Sequence, residues 1–81
     1  GKTLFVIQDK NSKQFFTDYN TLNDKVLFSL DVLNAFMYHT ESDATQSIEV
    51  IKKLINENKD ACKIGDTLDL VVKRYCIWED K

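Results

Sequence analysis

Thr40-Glu41-Ser42-Asp43-Ala44-Thr45-Gln46-Ser47-Ile48-Glu49-Val50-Ile51-Lys52-Lys53-Leu54-Ile55-Asn56-Glu57-Asn58 is the stretch that decides the fold of this chain. Ala44, Ile48, Ile51 and Ile55 recur at steps of four, three and four, with Ser47 and Leu54 beside them, which is the period of one helix face. Thr40 is placed to cap that helix. Asp43 lies in the first turn, where the helix dipole favours an acid, and Lys52, Lys53 and Lys59 lie in the later half, where it favours a cation. The apolar face is expected to continue through Asn58 to Cys62, with Gly65 stopping the helix.

On either side the chain reads mainly as short strands. Thr3-Leu4-Phe5-Val6-Ile7-Gln8 is a continuous run of strand formers, as expected of an inner strand. Asp9-Lys10-Asn11-Ser12 has turn chemistry, and Lys13-Gln14-Phe15-Phe16-Thr17 returns as a second strand, so the first two elements form a hairpin. Asp18-Tyr19-Asn20-Thr21 breaks the pattern, with Asn20 suited to a left-handed turn. Lys25-Val26-Leu27-Phe28 extends the sheet, with Val26 and Phe28 on one side. Residues 29–35 suit a short helical turn capped by Ser29, and Phe36-Met37-Tyr38-His39 a short strand leading to Thr40. Residues 67–79 are the longest strand candidate. Leu68, Leu70, Val72, Cys76 and Trp78 share the face toward the helix, interrupted by Arg74, and Asp69, Val71, Lys73, Tyr75 and Ile77 share the other. The fold expected is a single α+β domain over residues 1–81, a small antiparallel sheet of three to five strands with one main amphipathic helix on one face.

At 81 residues the chain lies near the lower end of what a single core can stabilise, so self-association as a homodimer is one expected outcome. A net charge of −2 argues against long-range attraction to phosphate or anionic lipid, and no apolar run is long enough to span a membrane. With Gly1 and Gly65 the only glycines, there is no glycine-rich loop to cradle a phosphate. Cys62 and Cys76 form neither a C-x-x-C pair nor a metal set. A disulfide between them is left open by the sequence, and reduced thiols in a cytoplasm are the expectation. His39 is the single histidine, so a site built on several imidazoles is excluded and a nucleophilic pair would need it beside Cys62 or Cys76. The aspartates fall in turns and at element ends, which they favour for local hydrogen bonding. No catalytic residue, metal or cofactor is therefore assigned.

Phe15, Phe16, Tyr19, Tyr75 and Trp78 lie on or beside strands, as a base-stacking platform would require, yet acids are interleaved among Lys10, Lys13, Lys25, Lys73 and Arg74. Core packing accounts better for most of these rings, and nucleic-acid binding remains the alternative reading. Recognition of another protein is the leading one. Its expected surface is the sheet face away from the helix, with Val71, Lys73, Tyr75 and Ile77 as the contacting residues, or an edge strand.

The order Phe5-Val6-Ile7-x-Asp9-Lys10-x-x-Lys13-x-Phe15-Phe16, followed by Asp31-Val32-x-x-Ala35-x-x-Tyr38-x-Thr40-x-x-Asp43-Ala44, resembles small uncharacterised domains of bacteriophages and prophages of low-GC Gram-positive bacteria. This chain has Asp43 where glutamate is usual, lacks a glycine between the early strands, and inserts residues 21–28. The resemblance implies a phage-encoded accessory protein in the host cytoplasm, and carries over no catalytic residue. A host protein, bound and inhibited, is the partner expected on that reading.

Overall fold

A computed structural model describes residues 2–20, 22–58, 62 and 68–77. Within them the chain runs β1 (Lys2–Asp9), β2 (Phe15–Asn20), β3 (Lys25–Ser29), a 3-10 turn (Val32–Asn34), α1 (Glu41–Glu57) and β4 (Leu70–Ile77). The strands form one antiparallel sheet in the order β3-β2-β1-β4, and α1 packs on β1 and β4. This is the α+β architecture expected from the sequence.

The helix begins as its cap dictates, with the Asp43 N–H donating to Thr40 Oγ1 at 3.1 Å. Ala44, Ile48 and Ile51 are buried along one face, and their cluster includes Ile7, Phe16, Val26, Cys62 and Leu70. Each fully buried isoleucine contributes roughly 1.5–3 kcal/mol. The helix stops at Glu57, short of the continuation to Cys62 expected from the sequence. Asn58 leaves the helix at φ −136°, ψ 96°, with its N–H on the Leu54 carbonyl at 3.0 Å. Cys62 still reaches the core. The expected roles of Lys59, Gly65, Thr67, Trp78 and Glu79 lie outside the described residues.

The β1–β2 hairpin forms, but its pairing is short. Gln8 faces Phe15, and the Asp9 N–H donates to the Gln14 carbonyl at 2.8 Å. Beyond that point the two strands part, and residues 35–38 fill the gap. The Phe36 N–H donates to the Phe16 carbonyl at 2.9 Å on one side, while Tyr38 exchanges both backbone hydrogen bonds with Phe5, at 2.9 and 2.8 Å, on the other. Residues 36–39 are therefore not the strand expected. They make a single bridge at Tyr38, because each flanking strand offers them only one residue. Phe36 stacks obliquely on Tyr38 with ring centroids 4.7 Å apart, and Ala35 is buried.

β2 runs through Asp18, Tyr19 and Asn20, which the broken alternation had suggested was a turn. The cause is a bulge. Phe16 faces Phe28 and Asp18 faces Leu27, so Thr17 is the extra residue, and its hydroxyl donates to the Leu27 carbonyl at 3.1 Å. The inserted residue resets the pleat, so that Phe16 and Tyr19, three apart, both pack toward the helix. Among the described residues the left-handed positions are Lys13 (φ 68°) and Asp24 (φ 53°), not Asn20. The 3-10 turn lies where a helical turn was expected, but Asp31 caps it, accepting from the Leu33 N–H at 2.9 Å. Ser29, the residue expected to cap it, instead accepts from the Asp31 N–H at 3.1 Å.

Candidate functional site

β4 pairs with β1 in unbroken register from Lys2 opposite Ile77 to Asp9 opposite Leu70. Leu70 and Val72 face the helix and join its core. Arg74 and Cys76 share that parity but are exposed, so Cys76 does not lie under the helix as expected; the cover on this face stops near Val72. Val71, Lys73, Tyr75 and Ile77 take the other face. Val71 and Tyr75 are half-buried and Lys73 is exposed, while nothing of the Ile77 side chain is described. Opposite them on β1 lie Gln8, Val6, Leu4 and Lys2. Val6 is only 1% exposed and Leu4 6%, although both point away from the helix-side cluster. This second face is thus partly apolar and partly covered, which simple alternation of wet and dry sides does not anticipate.

The direction of the β4 backbone follows from Phe5. Its N–H and C=O are used by Tyr38, so they point away from β4. In an antiparallel ladder such pairs alternate, and Phe5 faces Arg74. Leu70, Val72, Arg74 and Cys76 therefore turn their backbone N–H and C=O groups to the outer edge, whereas Val71, Lys73 and Tyr75 bond inward to β1. Among the described residues no strand lies along that outer edge. The opposite edge, β3, has five residues and is twisted by the Thr17 bulge beside it.

At the other end of β1, Asp9 is a wholly buried carboxylate. Its Oδ1 accepts from the Asp69 N–H at 2.8 Å and the Asn11 N–H at 3.4 Å, and its Oδ2 from the Ser12 N–H at 2.9 Å. Burial pushes its pKa up, but these backbone donors and the Ser12 side chain outweigh burial and hold it below the ordinary value. Asp9 ties the first turn to the start of β4, so its role is structural. Tyr38 shares a 2.6 Å hydrogen bond with Ser47 on α1, and burial raises its phenol pKa against that bond.

Tyr19, Asp24, Leu54, Glu57 and Asn58 line a cleft of about 230 Å³ at the C-terminal end of α1. The Tyr19 hydroxyl donates to Asp24 Oδ1 at 2.8 Å, which raises the phenol pKa, with desolvation and the carboxylate charge adding to it. Asp24 and Glu57 bring two carboxylates to the cleft beside the helix C-terminus, with no basic residue in the last helical turn. Neither the cleft nor the exposed Leu22, Leu30 and Leu33 belongs to the surface read from the sequence. Leu30 and Leu33 flank Asp31 at the 3-10 turn, where periodicity carries no information on exposure.

His39 is exposed just before the helix cap, Cys62 is buried and Cys76 exposed, both as free thiols. Among the described residues no three His, Cys, Asp or Glu side chains gather as a metal site, and no helix is long and apolar enough to cross a membrane. In comparisons with known proteins the chain matches no protein family, no curated protein and no solved structure at a significant level.

Proposed function

We propose that this chain is a non-enzymatic accessory protein that binds another protein through β4, with Val71, Lys73, Tyr75 and Ile77 on the contacting face. The observation that carries this reading is the outer β4 edge, along which no strand lies among the described residues, beside a face on which exposed Lys73 stands between half-buried Val71 and Tyr75. An open strand offers backbone hydrogen bonds, and alternate side chains supply selectivity. The resemblance to phage domains supports a host protein as the partner, met in the host cytoplasm and inhibited by binding. Pull-down from a Gram-positive lysate, comparing the parent with Lys73→Glu and Tyr75→Ala, tests it. A protein held by the parent and lost by both folded variants is the expected result; identical captures by all three would refute the surface.

Single-stranded nucleic acid is the second reading. Exposed Lys2 and Lys73 share a sheet face with half-buried Phe15 and Tyr75, a small stacking and phosphate-tracking set. It requires salt-sensitive retention of an oligonucleotide that Lys73→Glu weakens, and no retention at low salt would dismiss it.

A further inference from the structure

Resting on the protein-binding reading, we infer that the partner contributes an extended acidic segment, added as a fifth strand along the outer edge of β4. Three observations lead there. β4 is eight residues long and unbroken in register, whereas the β3 edge is shorter and adjoins a bulge. Natural proteins guard an edge of that kind with devices that include charged side chains, and on β4 the guarding charges, Lys73 and Arg74, are of one sign, so they repel a like-charged strand and admit an acidic one. The outward backbone groups are those of Leu70, Val72, Arg74 and Cys76, a regular row of donors and acceptors at the spacing an added strand requires. Finally, the centre of the strand carries exposed Lys73 and Arg74 side by side, one on each face of the sheet.

Those two cations choose between occupants. A second copy of this chain, paired antiparallel about a two-fold axis, must set residues of like parity against each other. The two registers that pair nearly the whole strand then place Lys73 against Lys73 or Arg74 against Arg74, and like charges directly opposite are destabilising. A segment with two adjacent acids meets both cations at once, because successive side chains of a strand also point to opposite faces. Apolar residues on either side of the acids would lie against Val72 on the helix face and against Val71 and Tyr75 on the other.

The test uses the full chain and two capped, strand-forming peptides matched in length to β4, one with two central glutamates and its twin with two central lysines. Amide hydrogen exchange is read residue by residue. In the free protein the Val72 and Arg74 amides exchange quickly, and those of Val71, Lys73 and Tyr75 slowly. Adding the glutamate peptide slows Val72 and Arg74 about tenfold or more, and the lysine peptide binds roughly tenfold more weakly, as two charge pairs of modest strength imply. The double variant Lys73→Glu/Arg74→Glu reverses the preference without touching the core, since both side chains are exposed. A glutamate peptide N-methylated at alternate positions does not bind.

Three outcomes overturn the inference. Binding that leaves Val72 and Arg74 unprotected would place the peptide on the sheet face, which spares the protein-binding reading and removes the added strand. Slow exchange of those two amides in the free protein would mean the chain covers its own edge or pairs with a copy. No protection by the glutamate peptide up to about 1 mM would leave the edge without the affinity such a site needs.

Discussion

Replacing Asp9 by asparagine removes one accepting oxygen from a buried site built for a carboxylate, and the cost is readable from the geometry. Oδ1 and Oδ2 accept from the Asp69 and Ser12 amides at 2.8 and 2.9 Å. An asparagine keeps the volume but turns an NH₂ toward one of those N–H donors. A hydrogen bond to a charged group is worth about 1.5–3 kcal/mol, so Asp9→Asn should lose about 2–3 kcal/mol, and Asp9→Ala, which strips every bond, more. A domain of this length has a total stability of roughly 4–12 kcal/mol. In urea unfolding followed by circular dichroism, with a slope near 1 kcal/mol per M, the midpoint of Asp9→Asn falls by about 2–3 M. The pH dependence carries a sign. The folded-state pKa of Asp9 lies below its ordinary value of 3.8, because the amide donors outweigh burial. The charge therefore contributes fully above that value, and its contribution is lost as pH falls through the folded pKa. The gap between parent and Asp9→Asn should stay constant from neutral pH to about pH 5 and close below that value. An Asn variant within about 0.5 kcal/mol of the parent at neutral pH, or a gap that does not narrow as the pH falls through the carboxylate range, would refute the reasoning.

Two further outcomes test the scaffold. Ile51 is 3% exposed on the inner helix face and Val50 58% exposed beside it, so Ile51→Asp should abolish cooperative unfolding while Val50→Asp melts like the parent; similar melts for the two would mean the wrong face has been assigned to the core. Lys13 holds φ 68°, a conformation costing an L-residue about 1–2 kcal/mol, so Lys13→Gly should gain about 0.5–1 kcal/mol after the extra chain entropy of glycine, and a loss in urea unfolding would show that the side chain contributes there.

The helix is legible in the sequence because its signals are local: a cap at Thr40, an acid in the first turn, and apolar residues at the period of one face. The parity of Val71, Lys73, Tyr75 and Ile77 is equally local, since a pleated strand alternates whatever surrounds it. Their exposure is not. It depends on the cover that buries Leu4 and Val6 on the face that alternation leaves to water, and on which strand takes the edge. The Thr17 bulge reads as a break in the sequence, because one extra residue resets the alternation while the strand continues beside β3. Residues 36–39 read as a strand, yet 36–38 are a wedge, held by one residue of β1 and one of β2. That wedge determines which β4 amides face outward, since Tyr38 occupies the backbone of Phe5 and so fixes the phase of the whole ladder. Composition, cap and period specify the elements and their inner faces; the open edge arises from pairings between residues more than thirty positions apart, which no local signal in the chain encodes.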